Sequence, residues 1–289
     1  TIQTMTAFYH GATVILHRVF DPQPMLDCLV QDKPTLTVIL PAQMRPLRQL
    51  PGWEAATLQL RAVVTGSCVI PDDMVRYWSD RGIPLLNMYG ASETAPVAIH
   101  QSMSDVSITA GTVGFPAMHC EIRIVDEAGR DCDVDEPGEI LVRGPNVMSR
   151  YWGNDDETRR ALVEGWFHTG DIGVIDSKGR YRIVDRKKDI IISGGENISP
   201  SELENVLLTH PDVLEAAVVG RKDAKWDEVP VAVVVVHAGR QLDKEAVLNW
   251  FNNRLGRYKH PKDVVFVDAL PRNEMRKVVK QTLRDMVAS

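Results

Sequence analysis

The sequence predicts an α/β chain in two parts, a larger one over residues 1–184 and a smaller α+β domain over 185–289. Three changes of texture carry that reading. Apolar runs alternate with helical stretches to about residue 105, short strands with tight turns follow, and mixed helix and strand return after Asp185. Alternation of the first kind belongs to a mostly parallel sheet covered by helices. The middle block, 106–184, reads as an antiparallel β subdomain.

The elements follow in order. The apolar run 11–16 predicts a buried strand, and Asp21 ahead of Pro22 predicts a capped helix start. Strands are expected over 35–40, 61–66 and 83–89, with a helix after Pro71. Residues 121–125 alternate, and 138–143 form the next strand. Segments 172–176 and 181–185 flank Ser177-Lys178-Gly179, a hairpin with glycine at the left-handed position. Ser199-Pro200-Ser201-Glu202 reads as a capping box with proline at the first helical position. The helix it opens carries Leu203, Val206 and Leu207. Strands 214–219 and 231–236 come next, then a helix with Val247, Trp250, Phe251 and Leu255 on one face. A short strand, 264–267, and a last helix from about Val278 complete the chain.

Composition excludes several classes. At 289 residues, 44% hydrophobic and 25% charged, the chain has an ordinary globular balance. A net charge of -6 without a basic arm argues against a nucleic-acid partner. Cys28, Cys68, Cys120 and Cys132 are scattered, with no CxxC pair, which reads as reduced thiols in a cytoplasmic protein. No apolar run approaches the roughly 20 residues of a membrane span; the longest candidate, 229–236, contains Pro230 and reads as a buried strand. The chain opens without Met inside a periodic segment, Ile2, Met5, Phe8, which reads as a cut edge.

Four segments carry chemistry. Asn87-Met88-Tyr89-Gly90-Ala91-Ser92-Glu93-Thr94 follows an apparent parallel strand, where open α/β sheets bind ligands. Its ring, glycine, hydroxyl and carboxylate suit stacking on a base, close approach, a phosphate contact and Mg²⁺. Trp166-Phe167-His168-Thr169-Gly170-Asp171 sets a carboxylate beside a glycine turn, a ribose-hydroxyl acceptor. His168 reads as structural, because no nucleophile accompanies it. The charged run Asp185-Arg186-Lys187-Lys188-Asp189, by itself a solvated face, precedes Ser193-Gly194-Gly195-Glu196-Asn197, whose glycines let an extended ligand pass close to the backbone. Lys277 closes the fourth segment, Pro271-Arg272-Asn273-Glu274-Met275-Arg276-Lys277.

In this order and spacing the segments resemble the adenylate-forming (ANL) superfamily: acyl- and aryl-CoA synthetases, luciferases and peptide-synthetase adenylation domains. Asp-Arg-Lys-Lys-Asp-Ile-Ile-Ile-Ser-Gly-Gly-Glu-Asn-Ile-Ser-Pro, residues 185–200, is its most specific stretch. The resemblance implies that 1–184 is the C-terminal part of a large AMP-binding domain and 185–289 a mobile C-terminal domain. It implies that Tyr89 stacks on adenine, with Gly66, Ser67, Cys68, Asn87 and Gly90 around the nucleotide. Ser92 would contact the α-phosphate and Glu93 would bind Mg²⁺. Asp171, assisted by Arg186, would hold the ribose, Asp185 would be the hinge, and Lys277 would bridge the acid and the nucleotide. Ser193, Gly194, Gly195 and Glu196 would line the path of the CoA pantetheine arm.

The implied reaction joins a carboxylic acid to AMP from ATP and then passes the acyl group to CoA. A fatty acid is the expected substrate, with an aryl acid (benzoate or hydroxycinnamate) as the alternative. A non-catalytic acyl-adenylate or nucleotide binder and a peptide-synthetase adenylation domain are the other readings. Arg276 and Asp227 stand where the family has, or often has, glycine. No Ser/Thr/Gly-rich loop ending in Lys, the cradle for the outer phosphates, occurs. The expectation is a chain inactive alone, with a missing N-terminal half or a companion chain supplying that loop.

Overall fold

The computed structural model describes residues 2–66, 70, 72–105, 111–273 and 277–288. Its fold is mixed α/β, with one large sheet and one small one. Contacts divide it into two compact units, Thr1–Thr169 with Gly173–Ile183, and Gly170–Ile172 with Val184–Ser289.

The first unit opens with α1 (Ile2–Tyr9) and α2 (Pro22–Gln31), followed by β1 (Leu36–Val38), α3 (Pro41–Arg48), β2 (Ala62–Gly66), α4 (Asp72–Asp80) and β3 (Leu85–Tyr89). Asp21 caps α2 as expected, its carboxylate accepting from the Gln23 N–H at 3.2 Å. β1, β2 and β3 are parallel, in a register that sets Thr37 opposite Val63 and Val64 opposite Leu86. Trp53 and Trp78, both fully buried, meet edge to face at 6.0 Å beneath this sheet with Leu29, Met44 and Leu47.

The run 11–16 forms no strand, contrary to its pattern; Ile15 and Leu16 are 45% and 81% exposed. An apolar run becomes a strand when a neighbour satisfies its backbone groups, and no described strand pairs with this one.

β4 (Ile99–His100) and β5 (Thr112–Pro116) turn the sheet antiparallel. Then come β6 (Glu121–Val125), β7 (Gly138–Arg143), α5 (Asp155–Ala161), β8 (Leu162–Val163), β9 (Trp166–Ile175) and β10 (Tyr181–Arg186). The order is β1-β2-β3-β4-β5-β10-β9-β7-β6, with β8 paired to β9. The β9–β10 hairpin forms as its turn residues dictate: Asp176 accepts from the N–H groups of Lys178 and Arg180, and Gly179 has φ 76°. Thr169-Gly170-Asp171, in contrast, is no turn. It lies inside the ten-residue β9, with Gly170 at φ 68°.

The second unit contains β11 (Ile191–Ser193), β12 (Glu196–Ile198), α6 (Pro200–Leu208), β13 (Val213–Asp223), β14 (Asp227–Val236), α7 (Lys244–Trp250), β15 (Asp263–Phe266) and α8 (Lys280–Val287). β14 is buried on both faces, which explains its unbroken apolar run. Val231, Val233 and Val235 pack with Leu270, Leu283 and Val287, whereas Ala232 and Val234 pack with Leu203, Leu207, Val247 and Phe251.

The expected capping box does not form. The Ser199 hydroxyl donates to Asp185 Oδ2 at 2.7 Å, and the Ser201 N–H donates to the same oxygen at 2.8 Å. A carboxylate is the stronger acceptor at the positive end of a helix, so Asp185 takes the role of the serine. Glu202 turns instead to Lys259 Nζ at 2.6 Å. The charged run 187–189 is also not wholly solvated: Asp189 is buried and paired with Arg284 of α8. Among the described residues no helix is long and apolar enough to cross a membrane.

Asp263, at the start of β15, accepts from Lys244 Nζ and Arg221 Nη1, each at 2.9 Å, and these bonds hold its pKa down to about 2. A carboxyl with a depressed folded pKa stabilises the fold above its unfolded value, and that contribution is lost as pH falls through the folded one. Asp263→Asn is therefore expected to cost about 1 kcal/mol near neutral pH, discounted for partial exposure, and almost nothing at pH 2. Urea unfolding of both proteins at several pH values checks this; a pH-independent difference would refute it.

Candidate functional site

In the first unit, the residues expected around the nucleotide converge on the end of β3. Gly66 closes β2 so tightly that a Cβ would lie 2.6 Å from the Met88 carbonyl oxygen. Ser67 and Cys68 lie outside the described residues. Asn87 is buried; its Nδ2 donates to the Thr112 carbonyl at 3.2 Å, and its Oδ1 has no partner among the described residues. An orphaned buried acceptor of this kind is rare and suits a donor brought by a ligand. The Tyr89 ring is half-buried against the β-subdomain core.

Gly90 has a reason the sequence did not reveal. A Cβ there would sit 1.8 Å from the Pro96 carbonyl oxygen, so the close approach comes from the chain itself. Ser92, exposed, begins a single 3₁₀ turn, Ser92–Thr94. Thr94, quoted in that segment but assigned no role from sequence, is buried; its hydroxyl accepts from the Ala91 N–H at 2.9 Å and fixes the turn. A Thr three positions after the loop's start is the local hydrogen-bonding signal that would have found it.

Glu93 is held from a distant segment. Its Oε1 accepts from the Tyr151 hydroxyl at 2.9 Å, and its backbone carbonyl accepts from the Met148 N–H at 2.8 Å. Burial, reinforced by the bond to Glu93, pushes the Tyr151 hydroxyl up to about 12, so it stays a neutral donor. Among the described residues no cluster of three His, Cys, Asp or Glu could cage a metal. A single carboxylate with one oxygen unengaged fits Mg²⁺ shared with phosphates and water, the usual mode for that ion.

In the second unit, Arg186 Nε lies 3.4 Å from Asp171 Oδ1. The Asp171 side chain is 16% exposed and that of Arg186 57%, so the acid is sheltered and the base reaches outward. Gly194 and Gly195 form the two-residue turn between β11 and β12, with φ 61° and 86°. Ser193 and Glu196 face each other across it. The Gly194 N–H donates to the Trp226 carbonyl at 2.8 Å, and a Cβ on Gly194 would strike the Trp226 ring at 2.7 Å. A Cβ on Gly195 would meet nothing within 4 Å among the described residues. Asp227, where glycine is often expected, keeps the left-handed conformation glycine favours, at φ 67°.

Lys277 is exposed, and its side chain forms no ion pair among the described residues. Its backbone is anchored twice to Asn273: its N–H donates to the side chain at 2.9 Å, and its carbonyl accepts from the Asn273 N–H at 3.0 Å. Arg276 lies outside the described residues. His168 Nδ1 stands 3.7 Å from Glu139 Oε2. Burial raises the pKa of the Cys28, Cys120 and Cys132 thiols, the opposite of an activated nucleophile. An open cleft of about 770 Å³, lined by Val235, Arg240, Leu242 and Phe266, contains none of the expected site residues.

Residues 1–152 match the AMP-binding enzyme family, and residues 202–277 match the AMP-binding enzyme C-terminal domain. Indoleacetate–CoA ligase of Aromatoleum aromaticum is 47% identical over 99% of this chain and 56% of its own length. Feruloyl-CoA synthase of an Amycolatopsis species is 40% identical over 95% of this chain, again 56% of its own length. The chain thus spans little more than half the length of the curated relatives it matches. ATP-bound MatB from Rhodopseudomonas palustris superposes with a TM-score of 0.90 at 32% identity, covering 100% of this chain and 57% of that one. The o-succinylbenzoate CoA synthetase of Bacillus subtilis, solved with its acyl-adenylate intermediate, gives 0.88 at 32% identity over 99% of this chain and 57% of its own. With both family matches in chain order on a mixed α/β fold, the chain belongs to the AMP-binding enzymes of the adenylate-forming superfamily.

Proposed function

We propose that this chain provides the C-terminal part of the AMP-binding domain, residues 1–184, and the small mobile domain, 185–289, of an ATP-dependent acid–CoA ligase. The acid first attacks the α-phosphate of ATP to give an acyl-adenylate and pyrophosphate, and the CoA thiol then displaces AMP. The observation that carries this reading is the 47% identity to an indoleacetate–CoA ligase across 99% of the chain.

Each site residue has a task that fits its surroundings. Tyr89 offers a half-buried ring for the adenine, and the unpartnered Asn87 Oδ1 offers an acceptor beside it. Asp171 accepts from the ribose hydroxyls, with Arg186 next to it orienting the carboxylate. Ser92 contacts the α-phosphate, and Glu93 holds Mg²⁺, which when bound neutralises phosphate charge. Two anions meet in the first step, so a cation belongs where charge accumulates, and Lys277 is that cation. Gly195 leaves open space beside the backbone for the pantetheine arm, while Gly194 packs on the Trp226 ring. Asp185 serves as the hinge.

The acid is aromatic in this proposal, in place of the fatty acid first expected. Indoleacetate, feruloyl and 2-succinylbenzoate ligases among the relatives support the change. Acid-dependent ATP–pyrophosphate exchange by the full-length protein tests it, with indole-3-acetate, ferulate and 2-succinylbenzoate run against hexadecanoate. At least one aryl acid is expected to exceed the fatty acid about tenfold or more in kcat/KM, the scale of a pocket's shape discrimination. The reverse order would restore the fatty-acid reading.

A further inference from the structure

Tyr151 has no role in the chemistry so far, yet its hydroxyl meets the carboxylate of Glu93 across 58 residues of sequence. Three interactions bind the two segments. Tyr151 donates to Glu93 Oε1 at 2.9 Å, the Met148 N–H donates to the Glu93 carbonyl at 2.8 Å, and Asn146 Nδ2 donates to the Thr94 carbonyl at 2.8 Å. The Tyr151 segment is itself anchored. Its N–H donates to Thr158 Oγ1 at 3.0 Å in α5, a helix capped by Asn154, and its ring packs against the core of Ile124, Ile140 and Phe167. The hydroxyl is thus delivered to Glu93 by a fixed ring.

The bonds from the Met148 N–H and the Asn146 side chain to backbone carbonyls position the turn but leave the Glu93 side chain free to rotate about three torsions. Among the described residues only the Tyr151 hydroxyl restrains the carboxylate itself. It occupies one oxygen, in a direction set by a half-buried ring packed on the core, and leaves the other unengaged. A hydroxyl donor fits this task better than a lysine or arginine, because it orients the carboxylate without neutralising the charge that draws a cation.

We propose that Tyr151 is a positioning residue that holds the Glu93 carboxylate in the orientation for binding Mg²⁺ with ATP. The proposal rests on the ligase reading and deepens it, since it assigns the Mg²⁺ affinity of the site to a contact between β-subdomain and loop.

The test is calorimetric titration of the full-length protein with ATP over a range of MgCl₂ concentrations and in EDTA. Tyr151→Phe keeps the ring and removes only the hydroxyl. The expected result is a rise of about tenfold in the Mg²⁺ concentration needed for half-maximal enhancement of ATP affinity, the scale for loss of a metal ligand's supporting partner. Affinity in EDTA should be unchanged. In a Glu93→Gln background, adding Tyr151→Phe should have no further effect, because the restrained carboxylate is gone. A packing role would lower affinity equally with and without Mg²⁺ and would persist in the Glu93→Gln background; either result overturns the proposal. A wild-type protein whose ATP affinity ignores Mg²⁺ would overturn the metal assignment and the proposal together. A Mg²⁺-sensitive wild type with an unchanged Tyr151→Phe variant would overturn the proposal alone.

Discussion

Lys277→Ala in the full-length protein is expected to lower acid-dependent ATP–pyrophosphate exchange by at least about 10²-fold, the scale for removing one electrostatic stabiliser of a developing charge. Thiolysis of supplied acyl-adenylate by CoA should stay within about twofold, because the role proposed for the lysine is confined to the first step. The structure makes this a clean experiment. The side chain is exposed and forms no ion pair among the described residues, and the Asn273 bonds that place it are made by its backbone, so truncation leaves them intact. The melting temperature should therefore not move. Equal slowing of both half-reactions would show that Lys277 is shared between them or structural, and the separation of roles would fail.

Gly90→Ala is expected to cost at least about 3 kcal/mol, the upper range for forcing atoms into occupied space. The obstacle is a backbone carbonyl 1.8 Å from the new Cβ, not the end of a flexible side chain. Nor can Pro96 retreat easily, since the Ala98 N–H just beyond it donates to the Tyr89 carbonyl at 2.9 Å and ties the returning chain to β3. Gly195→Ala is the control. It has φ 86° and nothing within 4 Å of a Cβ, so it bears only the left-handed backbone cost of about 1–2 kcal/mol. Urea unfolding of the two variants compares them. If Gly90→Ala costs no more than Gly195→Ala, the approach of Pro96 is not what requires glycine there.

Much of the fold was legible because local pattern and long-range structure agree there. The two-sided apolar run of β14, the Asp21 cap and the Asp176–Gly179 hairpin each depend on neighbours within a few residues, or on burial that every residue of the run shares. Misreadings occur where the deciding partner is remote. Ser199 looked like a cap until Asp185, 14 residues earlier, proved to hold the stronger acceptor. Residues 11–16 had the composition of a strand but no described neighbour to pair with. Gly170 looked like a turn and is a left-handed point inside a long strand. In the candidate site the order of motifs pointed to the family, whereas Tyr151 was invisible, because nothing in sequence links it to Glu93.

The first strand has a practical consequence. β1 is the terminal strand of its sheet, three residues long, with Leu36 57% and Val38 40% exposed, and it lies in the same stretch of chain as exposed Phe8, Tyr9, Leu16 and Val19. Among the described strands β1 has one unpaired edge, a template for pairing with another molecule, and neither Lys nor Pro within β1 blunts it. The 289-residue chain should self-associate as concentration rises, and light scattering should follow that association before any loss of helix or sheet signal. Lysine at position 36 or 38 is the remedy this edge calls for, a gatekeeping change that leaves every residue of the candidate site untouched.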